Sequence, residues 1–158
     1  MNIELNLDNT KIILNFSWIS LQKNGHNVYL WELDEKKNGR DQPVIYRFVL
    51  VNTRAGKITV YVGEGESLNG PRKNNLASQW KQTPGETRQR VKESILQLKR
   101  RGLHGWTEIL LHTEPNIDLS DEKERKFLQE LLISAYYQEH RKLYSKFPCI
   151  PGFLNKPE

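Results

Sequence analysis

The carboxylate of Glu124 is the first group in this sequence whose position suggests chemistry. Downstream of Ser120, the apolar residues Phe127, Leu128, Leu131, Leu132 and Ala135 recur at helical spacing. At roughly 100° per residue they occupy about 140° of arc, and Glu124 falls near the middle of it while Glu130 falls on the flank. A carboxylate on a core-facing stripe is costly to bury unless it is paired or holds a metal; the alternative is a frayed core edge from which it reaches water. Charge supplies a second set. Between Arg72 and Arg101 lie nine basic residues against two acidic ones, a local balance of +7 within a chain of net charge +5. Concentrated charge of this kind suits a phosphate-facing surface, with Lys73, Lys81, Arg88, Arg90 and Lys92 as candidate nucleic-acid contacts. A solvated helix face, or one that meets an acidic protein, is the plainer alternative. Tyr46 and Tyr61 complete the group. Phosphodiester hydrolysis needs a positioned water, neutralisation of charge on the phosphate and help for the leaving oxygen; a hard cation on a carboxylate together with an arginine supplies the last two. A tyrosine, with an ordinary pKa of about 10, is a poor base unless nearby cations lower it.

These residues need elements to position them. The run Val44 to Val51 is β-branched and aromatic, Gly56 provides a turn, and Ile58 to Val62 continues as a second strand. An even loop pairs positions summing to 109, which places Tyr61 across from Phe48 and Gly63 across from Tyr46, so that both tyrosines share a face. In the same scheme Ile58, Val60 and Val62 lie on the face opposite Tyr61, and a bulge would change the assignment. Val91, Ile95 and Leu98 predict a helix over 87–101 with Gly102 as its stop, followed by a strand over 106–112. A long helix then runs to about Leu143, with Asp121 and Glu122 in its first turn. Upstream, the β-favouring patches Ile12 to Phe16 and Val28 to Leu33 flank a turn-like Lys23–His26, which reads as an added strand or hairpin. The expected organisation is an N-terminal extension over 1–43 and a main unit over 44–158.

Composition narrows the class. At 158 residues, 37% hydrophobic and 27% charged, the chain has the size and balance of one folded domain. The single cysteine, Cys149, cannot close an intramolecular disulfide, and no N-terminal stretch reads as a secretory signal, so a cytoplasmic location is expected. No window approaches the roughly 18 apolar residues of a membrane span. The four histidines and Cys149 lack zinc-ligand spacing. Gly63-Glu64-Gly65 is too short and acidic for a phosphate loop, and no serine or cysteine nucleophile comes with a recognisable base. Trp80, beside Lys81, is either a base-stacking residue or, more ordinarily, a packing one.

Val44-Ile45-Tyr46, then Tyr61-Val62-Gly63, Arg72, a downstream helical glutamate and Asn155 in Pro151-Gly-Phe-Leu-Asn together resemble the GIY-YIG nuclease superfamily over about residues 44–155. The resemblance implies an α/β (α+β) fold with a small, mainly antiparallel three-stranded sheet flanked by helices. It implies a divalent-metal-dependent endonuclease acting on DNA, with RNA left open, as a monomer or homodimer. Tyr46 would relay or accept a proton, Tyr61 would orient water or phosphate, Arg72 would hold the scissile phosphate, and Glu124 would bind Mg2+ or Mn2+. Asn155 would close the motif near the nucleic acid. The chain departs from the pattern at Val44, at Glu64 where lysine is common, at Leu76 and in the longer gap between the triplets. The metal carboxylate is matched alternatively by Glu130, and a register that puts Gln129 there implies a protein that keeps binding and loses cleavage.

Overall fold

The computed structural model describes residues 2–7, 9–34, 41–70, 74–82, 85–114 and 116–155. Alternating β-favouring residues form β1 (Asn2–Leu7), β2 (Thr10–Ser20), a small hairpin β3 (Gln22–Lys23) and β4 (His26–Asn27), then β5 (Val44–Asn52) and β6 (Gly56–Gly65). Helices α1 (Leu76–Gln82) and α2 (Glu86–Arg100) follow, then β7 (Gly105–Glu114) and α3 (Glu122–Lys146). The small hairpin turns on Asn24 and Gly25, both with positive φ, as a two-residue loop between right-twisted strands requires. Val28–Leu33, read as β-favouring, instead holds a 3-10 helix at Leu30–Glu32.

The main sheet is antiparallel throughout, in the order β1-β2-β7-β5-β6. It therefore has five strands where the resemblance implied three. The expected trio β7-β5-β6 is present, but β2 pairs with the other edge of β7 and carries β1 with it. An exposed edge on β7 would present a row of unpaired backbone groups, and the N-terminal hairpin satisfies them. Residues 1–43 also enter the core: Tyr29 and Leu30 join the cluster of Tyr46 and Trp80, while Leu14 and Phe16 join that of Leu128 and Leu132. Helices α1 and α2 cover one face of the sheet and α3 the other.

The hairpin register is as the sequence indicates at the tyrosine end, Tyr46 opposite Gly63 and Phe48 opposite Tyr61. Nearer the turn, Val49 pairs with Thr59, so Val60 is an extra residue. This bulge corrects the face assignment. Ile58 and Val60 lie in the Tyr46 and Tyr61 cluster, and of the three only Val62 joins the opposite one. One extra residue inverts every side chain on its far side, whereas the tyrosine end keeps its pairing.

Helix α2 starts after Gly85 and ends before Gly102, both at positive φ, and buries Val91 and Ile95. The N-cap of α3 is Asp121, whose carboxylate accepts from the backbone of Lys123 and Glu124. The inward residues of α3 are Arg125, Leu128, Leu132, Tyr136 and His140. Phe127, expected in the stripe, is 60% exposed, and Glu124 is exposed as well. The inward face is thus rotated from the expected one, with Arg125 in the place foreseen for Glu124. On this side of the sheet Arg47 and Glu108 are buried together, 2.6 Å apart. Arg47 also donates to Thr59 and Tyr136 and lies 4.6 Å from the Trp18 ring centre, tying β2, β5, β7 and α3 into one polar cluster. Among the described residues no helix is long and apolar enough to cross a membrane.

Candidate functional site

Strands β5 and β6 place two phenols side by side. Tyr46 and Tyr61 have ring centres 6.2 Å apart, and both are buried. Their closeness depends on Gly63 opposite Tyr46: a Cβ there would lie 2.3 Å from both Cζ and Oη of Tyr46. The Tyr46 hydroxyl accepts from Trp80 Nε1 at 2.9 Å. Trp80 is wholly buried, so it serves as a core donor to Tyr46 and has no face open to a base. Burial pushes the Tyr46 phenol well above its ordinary pKa and Tyr61 adds to the rise, while the Trp80 hydrogen bond and the Arg88 charge oppose it. Tyr61 is raised by burial too, against the pull of Arg88, the hydrogen bond with Tyr46 and Arg90. Both phenols are therefore neutral at pH 7.

Where β6 ends lies a cleft of about 260 Å³, which neither Tyr46 nor Tyr61 lines. Its walls are Glu64 and Gly65 from the end of β6, Glu66 just after it, Asn74 before α1, Leu76 and Gln79 from α1, Arg88 from α2, and Glu122 and Arg125 from α3. Gly65 is required by close packing, since a Cβ there would lie 2.6 Å from the Leu76 side chain. Arg88 donates to Gln79 Oε1 at 2.8 Å, and its charge acts on both phenols, so it connects the buried pair to the open cleft. Arg125 is 2% exposed; its Nε donates to Glu64 Oε2 at 2.5 Å and its Nη1 to the Leu119 carbonyl at 2.9 Å. Glu64, a departure from the sequence pattern, is thus a cleft carboxylate held by a buried guanidinium.

The other candidates are dispersed. Glu124 accepts from the Asp118 backbone at 3.1 Å, and Glu130 is exposed. Arg90 donates to the Leu154 carbonyl, and Lys92 donates to the carbonyls of Trp80 and Lys81, closing the end of α1. Burial lowers the Lys92 pKa. Lys81 is half-buried at the same helix end. Asn155 uses both ends of its amide on the backbone of Val62, at 2.8 and 2.9 Å, so it clamps the outer edge of β6. Arg72 and Lys73 lie outside the described residues.

Of the site residues expected from the sequence, among those described, only Arg88 lines the cleft; Glu64, Gln79, Glu122 and Arg125 were not expected there. Arg125, Leu128, Leu132, Tyr136 and His140 do recur at helical spacing; the arginine, tyrosine and histidine among them hid the stripe from a search for apolar side chains. Among the described residues no three histidine, cysteine or acidic side chains gather as a metal cage. Glu64, Glu66 and Glu122 line the cleft, but Glu64 is ion-paired with Arg125 and Glu122 with Lys126. No family model matches the chain, nor does any curated protein or solved structure.

Proposed function

We propose that the chain is a divalent-metal-dependent endonuclease of GIY-YIG-like build that hydrolyses phosphodiester bonds in DNA at the cleft where β6 ends. The observation that supports this reading is Arg88, which lines the cleft with Glu64, Glu66 and Glu122 and whose charge also acts on the buried phenols of Tyr46 and Tyr61. Arg88 neutralises the phosphate, and Tyr61, oriented by Tyr46, donates a hydrogen bond to the attacking water or to a phosphate oxygen. In this reading Glu64, which lines the cleft and pairs with Arg125, would take the role foreseen for Glu124 and hold Mg2+ or Mn2+ together with the substrate phosphate. The cation, when bound, offsets the charge that develops on the phosphate. One such site per chain implies that a double-strand cut takes two copies or two successive nicks.

Nicking of supercoiled plasmid in Mn2+ tests the reading. Wild type is expected to nick; Tyr61→Phe, Arg88→Ala and Glu64→Gln are expected to lose nicking, and Glu130→Ala to keep it. Folded wild type that leaves plasmid uncut sinks the proposal. A second reading, a nucleic-acid-binding protein without cleavage, is favoured by one feature: Glu124 is exposed, and the residue that α3 turns inward in its place is Arg125, which pairs with Glu64. Plasmid binding without nicking would establish it.

A further inference from the structure

The cleft by itself is a poor dock for a polyanion. Three carboxylates line it against two guanidiniums, and both guanidiniums are engaged, Arg125 by Glu64 and Arg88 by Gln79. Helix α3, which supplies Glu122 and Arg125 to the cleft, carries a different surface away from it. Phe127 and Tyr144 are 60% and 51% exposed, and Tyr137 between them is half-buried. At roughly 100° per residue the three rings fall within about 100° of arc, and the exposed Lys123, Lys126 and Arg141 share it. Every ring has a cation one turn away, Lys123 for Phe127 and Arg141 for both Tyr137 and Tyr144. The Arg141 guanidinium lies 6.0 Å from the Tyr137 ring centre. Tyr144 is stacked on His140 at 6.3 Å, and His140 Nε2 donates to the Pro151 carbonyl at 2.6 Å, so the exposed ring rests on a fixed one.

We propose that this face of α3 is a track for single-stranded nucleic acid, with bases stacked on Phe127 and Tyr144 and phosphates on Lys123 and Arg141. Aromatic rings interleaved with cations suit an extended strand of any sequence, because every base has a π-face to stack and every linkage a charge to neutralise. The spacing favours this occupant over a protein. By helical rise Phe127 and Tyr137 are about 15 Å apart along the axis and Tyr137 and Tyr144 about 10 Å, with Glu130, Ser134 and Gln138 between them. A protein partner, a second copy of this chain included, needs a contiguous apolar patch, whereas separated rings fit separate bases. Charge agrees with a polyanion: among the described residues Glu130 is the one acid on the arc against Lys123, Lys126 and Arg141, of which Lys126 also meets Glu122. The track starts beside the cleft end of α3 and runs about 26 Å from Phe127 to Tyr144, so a strand lying on it leads into the cleft. The proposal rests on the cleavage reading only in taking nucleic acid as the partner.

Fluorescence anisotropy of a fluorescein-labelled oligothymidylate, titrated with the full chain in EDTA, tests the proposal without metal or cleavage. Wild type is expected to bind. Phe127→Ala and Tyr144→Ala should each weaken binding about ten-fold, the usual worth of one stacked base, while Phe127→Tyr and Tyr144→Phe keep the rings and should bind as wild type does. An abasic strand of the same length should bind more weakly and ignore both alanine changes, since only its phosphates engage the protein. Arg141→Gln should reduce the slope of log K against log salt by about 0.7, and neither alanine change should alter it. Absence of strand binding by wild type overturns the proposal, as does an alanine change that costs nothing or costs as much on the abasic strand. So does a chain that self-associates through Phe127 and Tyr144 in place of binding the strand. Plasmid left uncut alongside the expected strand binding removes the cleavage reading and leaves the track standing. Nicking by a chain whose alanine variants bind the strand as tightly as wild type overturns the track alone.

Discussion

Replacing Gly63 with alanine tests whether the phenol pair is held in place by packing. The added Cβ would sit 2.3 Å from the end of the Tyr46 ring, well inside van der Waals contact. That ring cannot simply swing away, because Phe48, Tyr61 and Trp80 surround it at centre distances of 5.5, 6.2 and 6.3 Å. Either Tyr46 or the β6 backbone must shift. Overpacking of this kind costs about 1–3 kcal/mol. Moving the phenol also strips Trp80 Nε1 of its acceptor inside the core, a loss of about 1–3 kcal/mol. Because one displacement causes both, the expected destabilisation is about 2–4 kcal/mol, which for a domain of this size lowers Tm by about 5–15 °C. Urea unfolding followed by circular dichroism and tryptophan fluorescence measures it. Gly152→Ala is the control, since an added Cβ there meets nothing within 4 Å; it should stay within about 0.5 kcal/mol of wild type. A Gly63→Ala protein equally close to wild type would refute the argument, because the ring would then have room that the geometry denies it.

Tyr46→Phe keeps the ring and removes the hydroxyl, so Trp80 Nε1 loses its partner and stability should fall by about 1–3 kcal/mol in the same urea assay; no change would mean that Trp80 finds another acceptor. Glu108→Gln at pH 7 should cost about 3–5 kcal/mol, because Arg47 stays buried without its counter-charge. Burial pushes the Glu108 pKa up, but the hydrogen bond from Trp106, the Arg47 charge and the hydrogen bonds from Arg47 and Lys57 outweigh it and hold the group below its ordinary 4.5. A folded-state pKa below the unfolded one gives stability that is present above the unfolded value and lost as pH falls through the folded one. The gap between wild type and Glu108→Gln should thus narrow in acid below pH 4.5, and a gap constant from pH 7 to pH 3 would contradict the assignment. Asn155→Ala removes two hydrogen bonds from the edge of β6, at about 1 kcal/mol each. Hydrogen exchange at the Val62 amide should accelerate, and an unchanged rate would show that the C-terminal segment does not protect that edge.

What local pattern could settle, the sequence settled. Alternating β-branched and aromatic residues around Gly56 define the β5 and β6 hairpin; the expected even loop is in fact three residues between Asn52 and Gly56, and the bulge at Val60 restores Tyr46 opposite Gly63 and Phe48 opposite Tyr61. Helix α2 was legible from Val91 and Ile95 to its stop at Gly102, because helical period and positive-φ glycines are properties of a few neighbouring residues. The short helix α1 gave no such signal. The tertiary structure decided the rest. The bulge at Val60 brings Ile58 and Val60 onto the tyrosine face through a shift in pairing that composition does not encode. The choice of β7 as partner for β2 joins residues far apart in the chain and turns three expected strands into five. On α3 one residue corresponds to roughly 100° of rotation, about the width of an apolar stripe, so periodicity could not choose between Glu124 and Arg125. Packing against the sheet turned Arg125 inward, where Glu64, sixty-one residues earlier, supplies the opposite charge that makes its burial tolerable.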